Sequence, residues 1–206
     1  MNLSMSIRWC LTAGIVVAAP IAAYADPLKV VEVAAPAINC VFKANCIVLV
    51  TDTVAPIPFN VGSGSARLQS RTFTAAASGV PGAGTTAYLY RVDMTKMIGT
   101  ECVTGMTIDF GAIKPLPYKN NALAHVFVIT QGGLGKVSLK SAEQFGNIVV
   151  FEFKPNLCVP ATTTSANSST FFIGMASGAS PKASVAHLLA IGQPALYELA
   201  ARVPQH

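Results

Sequence analysis

The chain has 206 residues, 52% of them hydrophobic and only 11% charged, with a formal net charge of +5. So large an apolar fraction can bury a core and excludes a disordered chain, while the charged fraction falls well below the usual quarter, with Ser, Thr, Ala and Gly in its place. The cations are scattered from Lys29 to Arg202 without a run and without interleaved aromatics, which excludes a nucleic-acid groove from the expected partners.

The N-terminus reads as a leader. Met1 to Arg8 carries one positive charge, Leu11 to Ala23 is almost unbroken apolar sequence, and Ala23-Tyr24-Ala25 presents the small-x-small pattern of a signal-peptidase site, followed by Asp26-Pro27. The apolar run is shorter than the ~20 residues that a spanning helix needs. Cys10 stands at its start, after Ile7-Arg8-Trp9, which is the wrong end for lipid attachment. Residues 1–25 are thus expected to be a signal peptide. Residues 26–206 are expected to form a single domain, secreted or periplasmic, with no transmembrane segment after cleavage.

Beyond the leader stand Cys40, Cys46, Cys102 and Cys158. Four cysteines allow three pairings, and an oxidising compartment favours disulfides over zinc. Cys40 and Cys46 bracket five residues that a tight hairpin could close. Cys102 precedes one apparent strand and Cys158 follows another, so antiparallel pairing of the two would bring these cysteines together. The expected bridges are Cys40–Cys46 and Cys102–Cys158. His125, His187 and His206 are isolated, and no metal or other cofactor is expected.

Lys29 to Ala34 and Cys46 to Thr51 read as strands. Asp52 to Pro58 contains Pro56 and Pro58 and reads as a turn or an edge segment, and Asn60 to Ser65 as a loop. Ala66 to Thr74 alternates, with Leu68, Ser70 and Thr72 on one face and Arg67, Gln69, Arg71 and Phe73 on the other. After a loop over Ala75 to Thr85, Thr86 to Met94 is the clearest strand. Its two faces carry Tyr88, Tyr90, Val92 and Met94, and Leu89, Arg91 and Asp93. Met106 to Ile113 is a further strand, Tyr118 to Asn121 a turn, and Ala124 to Thr130 a strand ended by Gly132-Gly133-Leu134-Gly135.

Lys136 to Leu139 reads as a short strand, Ser141 to Phe145 as a helical turn, Asn147 to Lys154 as a strand, Pro160 to Thr170 as a loop and Thr170 to Met175 as a strand. At the C-terminus, Leu196, Leu199, Ala200 and Val203 have helical spacing while Tyr197, Leu199, Ala201 and Val203 have strand spacing. The favoured reading is a hairpin, His187 to Ile191 and Leu196 to Val203, turned by Gly192-Gln193-Pro194; a short helix is the alternative. Short strands punctuated by Gly, Pro and Ser imply an all-β protein, a sandwich of two antiparallel sheets.

No motif carries a reaction. Gly132 to Lys136 has Thr130 and Val137 where a phosphate-binding loop needs Gly and Ser or Thr. Gly62-Ser63-Gly64-Ser65 and Met175-Ala176-Ser177-Gly178 do not match a hydrolase elbow. The candidate bases His125 and His187 lie in apparent strands. No segment has the alternating Asp and Asn of a calcium loop. Asn167-Ser168-Ser169 matches the N-glycosylation pattern. Tyr88 and Tyr90 suit either a carbohydrate-stacking stripe or the buried face of a strand. With Arg91 and Asp93 they are the candidate ligand contacts. Strand-borne acids such as Asp93 with Asp109 are the candidate pair for a hydrolase.

Ala66 to Phe73, Ala87 to Asp93, Cys102 to Gly111, Val126 to Gly135 and Phe171 to Ser177 resemble a loosely defined group of uncharacterised secreted bacterial β-rich proteins, a likeness that implies an exported β domain and no activity. Cys102 to Gly111 is also similar to the cysteine-then-Phe-Gly strand of secreted pilus subunits of the spore-coat U type, where the pattern sits near the mature N-terminus instead of mid-chain. The expected function is therefore a non-enzymatic exported β-sandwich acting in binding or surface interaction. Self-association or a place at the cell surface is the expected partnership. A structural subunit of a surface fibre and a carboxylate hydrolase are the alternatives.

Overall fold

A computed structural model of the protein describes residues 25–59, 62–132, 134–161, 168–190 and 196–206. The expected leader up to Tyr24, Asn60-Val61, Gly133, Asn167 of the glycosylation pattern and the expected turn at Gly192-Gln193-Pro194 lie outside the described residues. The elements run β1 (Asp26–Pro27), β2 (Val30–Ala34), α1 (Ala35–Phe42), β3 (Thr51–Pro56), β4 (Ser63–Thr74), β5 (Thr86–Ile98), β6 (Cys102–Asp109), β7 (Leu116–Tyr118) and β8 (Ala122–Ala124). They continue with β9 (Val126–Gln131), β10 (Ser138–Phe145), β11 (Ile148–Cys158), β12 (Phe172–Ser177), β13 (Pro181–Ala190) and β14 (Leu196–Pro204).

The strands form two six-stranded sheets, ordered β1-β10-β11-β6-β13-β14 and β2-β9-β12-β5-β4-β3, with β7 and β8 as a separate hairpin. The fold is an all-β sandwich. Pairing is antiparallel except for β2, which runs parallel to β9. The polar faces of the alternating strands cannot enter an apolar layer without partners, so Tyr88, Tyr90, Val92 and Met94 of β5 turn inward. There they meet Met106, Ile108 and Phe110 from the facing sheet, all buried. Gly105 stands where β6 and β11 approach closely, and a Cβ there would collide with the Phe151 carbonyl oxygen.

A second apolar cluster lies on the outer face of the β2–β3 sheet, where α1 and the β7–β8 hairpin cover it. Helix α1 carries Ile38, Val41 and Phe42 at i, i+3 and i+4 onto this face. Phe42 meets Phe73 edge-on at 5.1 Å between ring centroids. The helix has Pro in its first turn, as the φ of proline favours, but Ala34 provides no side-chain cap. An eight-residue helix without a capping side chain leaves little trace in sequence.

Both expected disulfides are present, Cys40–Cys46 and Cys102–Cys158. Cys102 and Cys158 are direct cross-strand partners of β6 and β11, as the antiparallel argument requires. The hairpin expected around Cys40–Cys46 is corrected: Cys40 lies in the last turn of α1, and the bridge ties that helix to the start of the segment leading into β3. Two other elements differ. Ser141 to Phe145 belongs to strand β10 instead of a helical turn, because backbone pairing with β11 overrides the local preference. The strand expected over Cys46 to Thr51 begins only at Thr51. The C-terminal alternatives resolve to strand: β13 and β14 pair from Pro181↔Pro204 to Leu189↔Leu196, turning Tyr197, Leu199, Ala201 and Val203 into the core.

Candidate functional site

The four candidate contacts on β5 divide between two environments, because successive side chains of a strand face opposite ways. Tyr88 and Tyr90 are fully buried between the sheets. Their hydroxyls donate to the carbonyl oxygens of Ala179 and Arg202, each at 2.7 Å. Burial raises the Tyr88 phenol to about 12, against a smaller lowering by the Arg202 charge. Burial, then Tyr88, pushes Tyr90 well above the ordinary value. These side chains hold the core together and reach no solvent.

Arg91 and Asp93 lie on the opposite face, among charges brought there by strand register. Arg67 pairs with Asp93 and Gln69 with Arg91 across β4 and β5, while Asp52 pairs with Arg71 across β3 and β4. Asp93 Oδ2 accepts from Arg67 at 3.0 Å and lies 3.3 Å from the Arg91 guanidinium. Its Oδ1 accepts from the Thr95 hydroxyl at 2.6 Å and the Thr95 amide at 3.2 Å. Arg91 Nε donates to Ser169 Oγ at 3.0 Å, in the segment that bridges to Asp93 beside β5. The Arg71 fork holds Asp52 through two bonds, at 2.7 and 3.1 Å. Arg71 and Arg91 both lie over the Phe172 ring, 4.6 and 5.9 Å from its centroid.

This belt is graded from buried to wet. The Arg91 and Asp93 side chains are 7% and 6% exposed, whereas Arg67 is 45% and Arg71 30% exposed. Burial lowers the Arg91 pKa, opposed by the Asp93 charge and reinforced by repulsion from Arg67 and Arg71. Burial alone would raise Asp93, but the hydrogen bonds from Thr95, the Arg91 charge and the hydrogen bond from Arg67 prevail and hold it below its ordinary value. Three guanidiniums face two carboxylates, so the belt carries one uncompensated positive charge. Next to it a cleft of about 170 Å³ opens between Arg71, Phe172, Phe73, Leu89, Ile129 and Val50. An apolar wall thus meets a fixed cation at its rim.

The remaining candidates are apart. Asp109 is on the outer face of the other sheet, where His206 Nε2 approaches it at 3.0 Å, so the sandwich core separates it from Asp93. His125 accepts the Lys29 amide at 3.1 Å, and His187 stands 4.0 Å from Glu198 across the β13–β14 pair. Among the described residues no three His, Cys, Asp or Glu side chains gather as a metal site. No described helix is long and apolar enough to cross a membrane. Alternation in the sequence places Arg67 and Arg71 on one strand face and Arg91 and Asp93 on another, but does not bring the two together or join Asp52, Ser169 and Phe172 to them. The missing information was the β3–β4–β5 register. Comparison with protein-family models, with curated proteins and with solved structures finds no match for this chain.

Proposed function

We propose that the protein is an exported, non-enzymatic binding module that uses the arginine belt and its cleft to hold an anionic group attached to an apolar body. The observation that carries this reading is the Arg71 guanidinium, 30% exposed at the rim of the apolar wall in a belt of three guanidiniums and two carboxylates: a carboxylate there would share Arg71 with Asp52 and balance the belt's net charge, while the hydrocarbon part lies against Phe172 and Leu89. Charge-assisted bonds from a planar guanidinium are strong and directional. Asp93 accepts three hydrogen bonds and is ion-paired with Arg91, and Ser169 Oγ both accepts from Arg91 and donates to the Val92 carbonyl at 3.2 Å. These groups are committed to one another, which suits a fixed electrostatic surface better than proton transfer. Export is supported by the leader pattern and by two disulfides.

Isothermal titration with benzoate, hexanoate and phosphate tests the binding. Benzoate and hexanoate are expected to bind and phosphate to bind at least tenfold more weakly, because it leaves the apolar wall wet. Arg71→Gln is expected to abolish carboxylate binding, and Arg71→Lys to restore part of it. Equal binding by parent and Arg71→Gln, or none by the parent, would refute the site. Export is read separately from cell fractions: the exported chain should begin at Asp26 and, having lost Trp9, contain no tryptophan.

A further inference from the structure

We propose that the segment Ile47-Val48-Leu49-Val50 is a self-association strand, and that two copies of this chain pair through it about a twofold axis. The sequence marks it as a strand by composition, all aliphatic and mostly β-branched. Its burial alternates like one: Ile47 is 73% and Leu49 91% exposed, while Val48 packs against the second apolar cluster. Yet it pairs with no strand among the described residues. Val48, Leu49 and Val50 make no backbone hydrogen bond to another described residue. Strand-forming sequence with open backbone donors and acceptors lacks the partner that its composition calls for.

The segment is held ready for pairing. Cys46 anchors one end to α1 through its disulfide, and Thr51 enters the β3–β4 pairing at the other. Much of its ordering entropy is therefore already spent in the folded protomer.

The occupant that fits is a second copy. Antiparallel pairing centred on Leu49 sets Leu49 against Leu49, Val48 against Val50 and Ile47 against Thr51, with no charge opposed to a like charge. Such a contact is isologous and closes on itself as a dimer. Leu134, 56% exposed, lines a cleft with Val48 and Val50, and Val54, 53% exposed, follows in β3. Together these side chains offer about 500–600 Å² per protomer, so a dimer would bury on the order of 1,100 Å², at the low end for a specific interface. A patch of this size is at the upper end of what a monomer leaves open, and such patches often serve an interaction. The surface therefore calls for a reversible dimer with a dissociation constant in the micromolar range. This inference does not depend on the arginine belt.

Sedimentation equilibrium of the disulfide-intact protein from about 1 to 200 μM is the test. The parent is expected to pass from monomer to dimer within that range. Leu49→Lys, which places two like charges at the axis, is expected to weaken dimerisation at least tenfold. Because Leu49 is so exposed, the variant should keep the parent circular dichroism spectrum and melting temperature at low concentration. Val185→Lys, on the outer face of the other sheet, should dimerise like the parent. A parent that stays monomeric at the highest concentration overturns the proposal, as does a Leu49→Lys variant that dimerises equally well.

Discussion

Replacing Asp93 by alanine removes the only carboxylate that meets the buried Arg91 guanidinium among the described contacts. Arg67 is nearly half exposed, so its lost bond is replaced by water at a cost of about 1 kcal/mol or less. The Arg91 side chain, 7% exposed, cannot rehydrate without moving, and an uncompensated buried charge costs about 3–5 kcal/mol. Ser169 and the Phe172 ring still face Arg91 and offset part of this, so the expected loss is about 3 kcal/mol. For a domain of this size that lowers the melting temperature by roughly 6–12 °C. Asp93→Asn keeps an acceptor for Thr95 and should fall between alanine and the parent. Arg91→Met combined with Asp93→Ala removes both charges and should be more stable than Asp93→Ala alone. Urea unfolding followed by far-ultraviolet circular dichroism measures all four proteins, since the single tryptophan, Trp9, lies outside the described residues. A double variant no more stable than Asp93→Ala would refute the account, for it would show that the stranded Arg91 charge is not the source of the loss.

The same carboxylate sets an acid dependence. Its folded pKa is held below the unfolded value, so its contribution is present above about pH 4 and is lost as the pH falls through the folded pKa. Asp93→Ala should therefore show a shallower loss of stability than the parent below about pH 4. At the alkaline end, Tyr88 and Tyr197 are both raised to about 12, chiefly by burial, with Glu101 adding to the effect at Tyr197. Their contribution is intact below about pH 10 and is lost as the pH rises toward 12; phenolate absorbance should appear together with unfolding, and full ionisation of a folded chain at pH 10.5 would contradict it. For the disulfides, the loops span 56 and 6 residues of separation, so replacing Cys102 and Cys158 by alanine should cost about 4 kcal/mol and replacing Cys40 and Cys46 about 2. Paired melts of the two double variants test that order.

Much of the sandwich was legible because alternation is a local property. Leu68 against Arg67, and Tyr88 against Leu89, announce which way each strand faces before any partner is known. The disulfide between Cys102 and Cys158 followed from the same logic, since the start of one antiparallel strand lies beside the end of its neighbour. Helix α1 was not legible, because its eight residues have no capping side chain and its Ile38, Val41 and Phe42 acquire meaning only against Phe73 and Leu89. Ser141 to Phe145 was misread because its strand character comes from pairing with β11, a partner that no local window contains.

The arginine belt shows the division most clearly. Arg67 and Arg71 share one face of a strand, and Arg91 and Asp93 a face of another, for a reason local to the chain: side chains alternate with period two. That these are the same face of one sheet, that Asp52, Ser169 and Phe172 join them, and that Tyr88 and Tyr90 belong to the core behind is fixed by the folded arrangement alone. Register between strands distant in the chain depends on which apolar faces can be buried together, and that choice is made by the whole core at once.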